Sequence, residues 1–448
     1  MPSTPHILTS PHPQVKYAVV TFGCRVNQAD SLGFEEALLA EGARAVAPDA
    51  ADLVIVNTCS VTATSDQGAR QTIRRIARDN PSAQIVVTGC YATRRPDEVA
   101  ALPNVVRVVP NDDKPQLIPL IRGVRLQPDD ESVRLKADAT SGSIGDGPCG
   151  SSIEPGVAGR TAFTLRVQTG CAEACSYCII PSTRGTPRSA PLGELLREVD
   201  RIVAAGFKEI ALTGVHLGSY GRDLSPRSSL IELLGALDLR RASLSGERLL
   251  FRISALEPMD CSNEIVDLVA ASDRFAPHFH LPLQHASERI LAAMRRPYTI
   301  EYYASLVDGI RARMPHASIG SDVIVGFPGE TDEDFELLAS YLERSPLTHI
   351  HVFPYSDRPG TAASSMKGKA PGTVVRERGR RVREIGRRLT DRFHDSQVGT
   401  IHPALTLEDG SLVVTGNYLK LRIPRGHSRN VWVRVRVTSH QHGELLAG

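Results

Sequence analysis

The 448-residue chain is 41% hydrophobic and 23% charged, proportions of a globular protein with room for two or three domains and a sizeable core. It contains no run of eighteen apolar residues, which excludes an apolar membrane-spanning helix. The total charge of +2 conceals an asymmetry, because residues 371–448 hold 14 Lys+Arg against 7 Asp+Glu and leave 38 against 43 for the remainder. A basic C-terminal part on a mildly acidic body is the pattern of a molecule that engages a polyanion with one end, although a solvated charged face gives the same balance.

The first residues, "MPSTPHILTSPHPQ", carry four prolines and no apolar core, so they read as a frayed leader and not a signal peptide. Without an export signal, the eight cysteines are expected to bind metal or do chemistry in a cytoplasmic protein and not to form disulfides. From residue 15 to 126 short apolar runs alternate with helical patterns, which predicts a parallel α/β domain. "KYAVVTF" leads to Gly23-Cys24, "ADLVIVNT" to Cys59 and "AQIVVT" to Gly89-Cys90. Right-handed crossovers put the ends of such strands on one edge, so Cys24, Cys59 and Cys90 are expected to meet there. Helix N-termini at that edge are expected to favour thiolate. Three strand ends in succession favour a metal site over three buried thiols; an iron–sulfur cluster and a zinc ion completed by water or histidine both remain open.

Residues 127–156 are rich in Gly, Ser, Pro and Asp and predict a linker, which contains Cys149. Over 157–388 six strand-like runs, "AFTLRVQT", "EIALTGV", "LLFRISAL", "HFHLPL", "SIGSDVIVGF" and "HIHVFPYS", alternate with helices. Six βα units without hairpin signals predict a partly open parallel barrel, with its chemistry at the C-terminal strand ends. The first strand runs into "GCAEACSYC", where Cys171, Cys175 and Cys178 are spaced C-x3-C-x2-C. That spacing differs from four-ligand ferredoxin patterns; three thiolates hold three irons of a [4Fe–4S] cube and leave the fourth iron open to a chelating ligand. His216, His280 and His285 fall near predicted strand ends and are read as structural, and Cys261 as incidental.

After a second break, "GTVVRERGRRVREIGRRLTDRF" places Val375, Val382, Ile385 and Leu389 on one helical stripe, with Arg376, Arg380, Arg383 and Arg387 among eight arginines around the rest. Residues 389–448 then give five short strands, a small all-β OB-like barrel in which "VWVRVRV" aims Arg434 and Arg436 to one face. These six arginines are the candidate contacts to a folded RNA, with a dimerisation barrel as the alternative. Ending the chain near Gly399 is expected to leave metal binding intact, since no candidate ligand lies beyond Cys178.

C-x3-C-x-aromatic-C, with Tyr177 in the aromatic slot, resembles the signature of the radical S-adenosylmethionine (SAM) superfamily. The blocks "TFGCRVNQADS", "VNTCSVT", "VTGCYA", "CSYCIIPSTRGTPRS", "LTGVHLGSYG", "HLPLQHAS", "DVIVGFPGETDEDF" and "HVFPYSDRPGT" resemble the methylthiotransferase family along most of the chain. The resemblance implies an auxiliary [4Fe–4S] cluster on Cys24, Cys59 and Cys90, a SAM-cleaving [4Fe–4S] cluster on Cys171, Cys175 and Cys178, and a C-terminal TRAM barrel. It also implies SAM contacts at Tyr177, Thr213, Gly214, Ser254, Glu257, Val325 and Gly326. "GCRVNQ" and "TGVHLGSYG" are closest to the branch that converts N6-threonylcarbamoyladenosine of tRNA, 3′ of the anticodon at position 37, to its 2-methylthio derivative. Two SAM molecules are consumed per turnover in that family, one as methyl donor and one as oxidant. A cytoplasmic monomer supplied with electrons by flavodoxin or ferredoxin is expected. The isopentenyladenosine and ribosomal-protein branches, or a non-enzymatic iron–sulfur protein, are the alternatives. One departure is His285-Ala286, where relatives usually carry Ser-Gly.

Overall fold

The computed structural model of the chain describes residues 15–121, 154–155, 161–240, 248–441 and 444–447. The proline-rich leader, nearly all of the linker and Cys149 lie outside them. The chain divides into two compact units, Met1–Ser152 and Ile153–Gly448.

The first unit contains β1 (Lys16–Thr21), α1 (Arg25–Ala40), β2 (Arg44–Ala45), β3 (Leu53–Thr58), α2 (Ala63–Asp79), β4 (Gln84–Gly89), α3 (Cys90–Arg94), α4 (Pro96–Ala100), β5 (Val105–Val109) and α5 (Leu117–Ile121). The strands form one parallel sheet in the order β2-β1-β3-β4-β5. Its central strands are apolar on both sides, as a doubly covered sheet requires. Val54, Val56, Ile85 and Val87 meet Ala69, Ile73 and Ile76 of α2 on one face, while Leu53, Ile55 and Val86 meet Phe34, Leu38 and Leu117 on the other.

The second unit opens with β6 (Phe163–Arg166) and β7 (Gln168–Thr169), followed by α6 (Ile180–Arg184), β8 (Arg188–Ser189), α7 (Leu192–Ala204), β9 (Glu209–Thr213), α8 (Leu230–Leu239) and β10 (Leu250–Ile253). It continues with α9 (Asn263–Ala271), β11 (His278–His280), α10 (Glu288–Ala293), α11 (Ile300–Arg313), β12 (Ser318–Val325), α12 (Asp332–Arg344), β13 (His349–Pro354) and α13 (Gly372–Gln397). The six expected strands form two parallel arcs, β6-β9-β10 and β11-β12-β13. A bridge between Phe251 and Phe275 and the Leu256 N–H bond to the His280 carbonyl (2.9 Å) join them. Among the described residues β13 does not pair with β6, so the barrel stays open at that side. One feature without a signal in the sequence is the antiparallel ribbon β7–β8, two residue pairs long, which brackets the cysteine loop.

The five C-terminal strands, β14 (Ile401–Leu407), β15 (Leu412–Thr415), β16 (Lys420–Arg422), β17 (Trp432–Gln441) and β18 (Glu444–Ala447), close into a barrel in the order β14-β15-β16-β18-β17. Alternation fills it with Val413, Leu421, Val435 and Val437, together with Phe393 from α13, and leaves Arg434 and Arg436 exposed. This barrel is fastened to the amino-terminal strand ends of the larger one. Arg252, only 1% exposed, pairs through Nε with Glu209 (2.8 Å), donates Nη1 to the Gly416 carbonyl (2.7 Å) and lies over the Tyr418 ring. The Trp432 indole N–H bonds to the Arg248 carbonyl (2.8 Å), and Asn417 Nδ2 to that of His316 (2.8 Å). No helix among the described residues is long and apolar enough to cross a membrane.

Candidate functional site

In the first unit β1, β3 and β4 are neighbours, and the register Thr21↔Asn57 and Thr58↔Gly89 brings their ends level. Cys24 stands at the start of α1, Cys59 directly after β3, and Cys90 opens α3. The approach is tight: a Cβ on Gly23 (φ +86°) would lie 2.6 Å from Cys59 Sγ, and one on Gly89 (φ +96°) 2.2 Å from the Thr58 carbonyl oxygen. Both turns therefore require glycine. A buried amide network holds the edge from below. Asn27 Nδ2 donates to the Phe22 and Thr58 carbonyls (2.8 and 2.9 Å), and Asn57 Nδ2 donates to the Asn27 carbonyl (2.9 Å). Asn111 Nδ2 lies 3.6 Å from Cys90 Sγ.

At Cys59 the charge state runs against the thiolate expected from the sequence. Burial pushes the Cys59 thiol up to about 11; the Val61 backbone N–H opposes this, while neighbouring Cys24 and Cys90 raise it further. A buried thiol raised in this way stays protonated near neutral pH, and a bound cation is what would make Cys59 a thiolate.

In the second unit the cysteine loop leaves β7 through Gly170 (φ +78°), where a Cβ would meet the Thr186 carbonyl oxygen at 1.9 Å. The Cys171 N–H bonds to the Gly185 carbonyl (3.0 Å), and the Ser176 N–H and hydroxyl bond to the Met294 and Ala293 carbonyls. Cys171 and Cys175 are close enough to raise the Cys178 thiol, which burial already drives to about 12. Burial likewise raises Cys175, against the pull of Arg296. Arg296 is buried, with Nη1 3.2 Å from Cys175 Sγ and Nη2 paired with Glu257. His216 bonds Asp260 (2.7 Å) and Cys171; burial alone would lower its pKa, but these two partners lift it to about 10.

The remaining candidates divide. Thr213 is buried at the end of β9, and its carbonyl accepts the Val167 N–H. Ser254 Oγ, at the end of β10, is buried with no hydrogen-bond partner among the described residues. Tyr177 packs on Ile290, Met294 and Phe327. Val325 passes its carbonyl to Tyr355, and the Gly326 N–H donates to Glu330 Oε2 (2.7 Å). The glycines have packing reasons: a Cβ on Gly326 (φ +76°) would strike Val375 Cγ2 at 2.5 Å, and one on Gly214 would sit 3.0 Å from Gln168 Oε1. His285 is completely buried; its Nδ1 accepts the Ser287 N–H, and burial holds it neutral with a pKa near 4. His280 bonds Asp322 (2.9 Å). Cys261 is buried, next to Asp260 in the chain.

Residues 16–110 match the model described as uncharacterized protein family UPF0004, and residues 165–342 match the radical SAM superfamily. The chain is 36% identical to the threonylcarbamoyladenosine tRNA methylthiotransferase MtaB of Aquifex aeolicus, over 91% of this chain and 96% of the relative. It is 34% identical to the protein of that name from Bacillus subtilis, over 90% and 88%. The chain belongs to the radical-SAM methylthiotransferase family. The tRNA-2-methylthio-N(6)-dimethylallyladenosine synthase of Corynebacterium glutamicum is 32% identical over 86% of this chain and 73% of that one. In fold, the chain resembles the radical SAM methyltransferase TsrM from Kitasatospora setae, with a TM-score of 0.53 at 17% identity, covering 78% of this chain and 77% of that one.

This methylthiotransferase uses SAM and iron–sulfur chemistry, and its residues fit those groups. Each triad offers three soft thiol donors, the donor number of an open-site cluster, and His216 lies against Cys171. Polar groups lie near strand ends as well: the Ser254 hydroxyl, without a hydrogen-bond partner among the described residues, and the Arg296–Glu257 pair beside Cys175. Sequence reasoning missed Arg296, Asp260, Gln168, Asn27 and Asn111, because no spacing joins Arg296 to a cysteine 121 residues earlier. On α13, Arg378 is buried against Glu330, while Arg381, Arg388 and Arg392 reach across to Glu336, Glu343 and the Ser345 carbonyl. Arg376, Arg380, Arg383 and Arg387 face solvent on one stripe, where Arg380 is ion-paired to Glu377 and Glu384.

Proposed function

We propose that the chain converts N6-threonylcarbamoyladenosine in tRNA to its 2-methylthio derivative, with Cys171, Cys175 and Cys178 on a SAM-cleaving [4Fe–4S] cluster and Cys24, Cys59 and Cys90 on an auxiliary one. The observation that carries the substrate is the near end-to-end match, 91% and 96%, to a relative named for that reaction, against 86% and 73% for one named for the dimethylallyl reaction. Bound at the strand ends, clusters and SAM supply the one-electron chemistry that an unactivated aromatic C–H demands, one SAM serving as methyl donor and a second as oxidant.

The chain's own part is holding and excluding. Arg296 bridges Cys175 and Glu257, and so fixes a cluster ligand against a candidate ribose-binding carboxylate. Gln168 accepts the His216 N–H (3.0 Å) and donates to the Gly170 carbonyl (2.7 Å), which stiffens the loop that carries Cys171. Thr213, Gly214, Ser254, Val325, Gly326 and Tyr177 line the strand ends where SAM would lie. For the RNA, the stripe from Arg376 to Arg387 covers about 16 Å of helix, from the Gly326 rim toward the C-terminal barrel that carries Arg434 and Arg436. That length suits several successive phosphates, and a low-potential flavodoxin or ferredoxin suits the reductant.

Nucleoside mass spectrometry of tRNA from a strain lacking the gene tests this reading. Loss of the 2-methylthio group from threonylcarbamoyladenosine alone is the expected result; its loss from isopentenyladenosine instead assigns the chain to the other branch.

A further inference from the structure

Three neighbouring parallel strands converge on a second, sulfur-free group of ligand atoms. The register sets His280 beside Gly320 and Gly320 beside His349, and, two residues on, Asp322 beside His351. Ile350 faces α13, since a Cβ on Gly386 would lie 3.6 Å from its Cβ, so strand alternation turns His349 and His351 to the opposite face. On that face His280 Nε2 is 2.9 Å and His351 Nδ1 3.1 Å from the same oxygen, Asp322 Oδ1. All three ligand atoms lie within 4.8 Å of one another. We propose that His280, Asp322 and His351 form a binding site for one divalent first-row transition cation, with zinc as the probe, separate from both cysteine triads.

Two imidazoles and one carboxylate are a borderline donor set that suits such ions. Metal–ligand bonds of about 2.1 Å give ligand–ligand edges of about 3.0 Å at right angles and about 3.4 Å at tetrahedral ones, close to the two spacings observed. Each ring binds the cation as its neutral tautomer. The proton now directed at Asp322 Oδ1 leaves His280 Nε2 or His351 Nδ1 and is carried instead on the other ring nitrogen, by exchange with solvent, so that the vacated lone pair takes the metal. Strand residues hold all three side chains, so no loop has to order first. The His280 and Asp322 side chains are 13% and 26% exposed, and His351, at 58%, leaves an entry path from solvent. Space has been cleared around the group. A Cβ on Gly320 would meet His349 Nε2 at 1.9 Å, so glycine there admits a third ring, 5.6 Å from that of His351.

The test uses the anaerobically reconstituted holoenzyme, whose cluster cysteines are occupied by iron. After incubation with equimolar zinc and dialysis, about one zinc per chain is expected, with a zinc K-edge spectrum of nitrogen and oxygen neighbours at about 2.0–2.1 Å and no sulfur at about 2.3 Å. His351→Ala, at an exposed position, and the isosteric Asp322→Asn should each weaken zinc binding at least about tenfold while iron content stays constant. Failure to retain zinc, a sulfur shell, or wild-type binding by both variants overturns the proposal and leaves the three residues as a hydrogen-bonded strand contact.

Discussion

Asn27 sits one turn into α1, yet its amide spans the carbonyls that end two different strands and so sets the distance between Cys24 and Cys59. Asn27→Ala leaves the Thr58 and Phe22 acceptors unpaired in a buried site, a cost of roughly 1–3 kcal/mol. Reconstituted iron is expected to fall from about eight per chain toward about four, with SAM cleavage by the other triad retained; an unchanged iron count refutes this role. His285 gives a pH signature instead. Its folded pKa of about 4 lies below its ordinary value, so the unfolded chain takes up the proton first as pH falls. Its contribution is therefore complete above about pH 6.5 and is lost as pH drops toward 4, at up to about 1.4 kcal/mol per pH unit. Comparing urea unfolding of the wild type and His285→Gln at pH 7 and pH 5 should narrow the stability gap between them by roughly 2 kcal/mol. A gap that does not move with pH contradicts a neutral buried ring.

At the scale of elements, α13 has two distinct faces. Half of its arginines are spent on carboxylates and a carbonyl of the larger barrel, and the other half form the solvent stripe. Replacing Arg376, Arg383 and Arg387 by glutamine should lower tRNA affinity and flatten its salt dependence by ~0.7 to 0.9 log units per tenfold salt for each phosphate that an arginine no longer neutralises. Filter binding across a salt series measures this, and an unchanged slope moves the RNA to another surface. Elements like this one were legible in part. Runs of valine and isoleucine that end at a cysteine were legible as strands of the first unit, and period-two alternation as the inside and outside of "VWVRVRV", because those patterns are local. Which arginines of α13 reach across to carboxylates was not legible, since that depends on Glu330, Glu336 and Glu343, more than forty residues away. The glycines were legible as special but for a different reason: at Gly326 the chain avoids Val375 of α13, a proximity only the tertiary fold creates.

At the scale of the molecule, the two cysteine triads belong to different units, and each is complete within its own. That much followed from sequence, because each triad sits where parallel strands end. The C-terminal barrel is different. It read as a separable module, whereas Arg252 buries its guanidinium against the carbonyls of Gly416 and Thr415 and the face of Tyr418. No composition break reports such a fastening. Ending the chain at Gly399 strips a buried cation of these partners and should cost at least about 2 kcal/mol. A thermal scan should then show earlier unfolding together with loss of iron from the Cys171, Cys175 and Cys178 site; a truncated chain as stable as the whole contradicts the fastening. The central claim, C2-methylthiolation of N6-threonylcarbamoyladenosine, has a direct test in an anaerobic assay of the reconstituted enzyme with SAM, sulfide and a low-potential reductant. Paired tRNA substrates carry threonylcarbamoyladenosine, isopentenyladenosine or unmodified adenosine at the same position. The account predicts a 2-methylthio product from the first and little from the others; preferential turnover of the isopentenyl tRNA, or no product from any of the three, would contradict it.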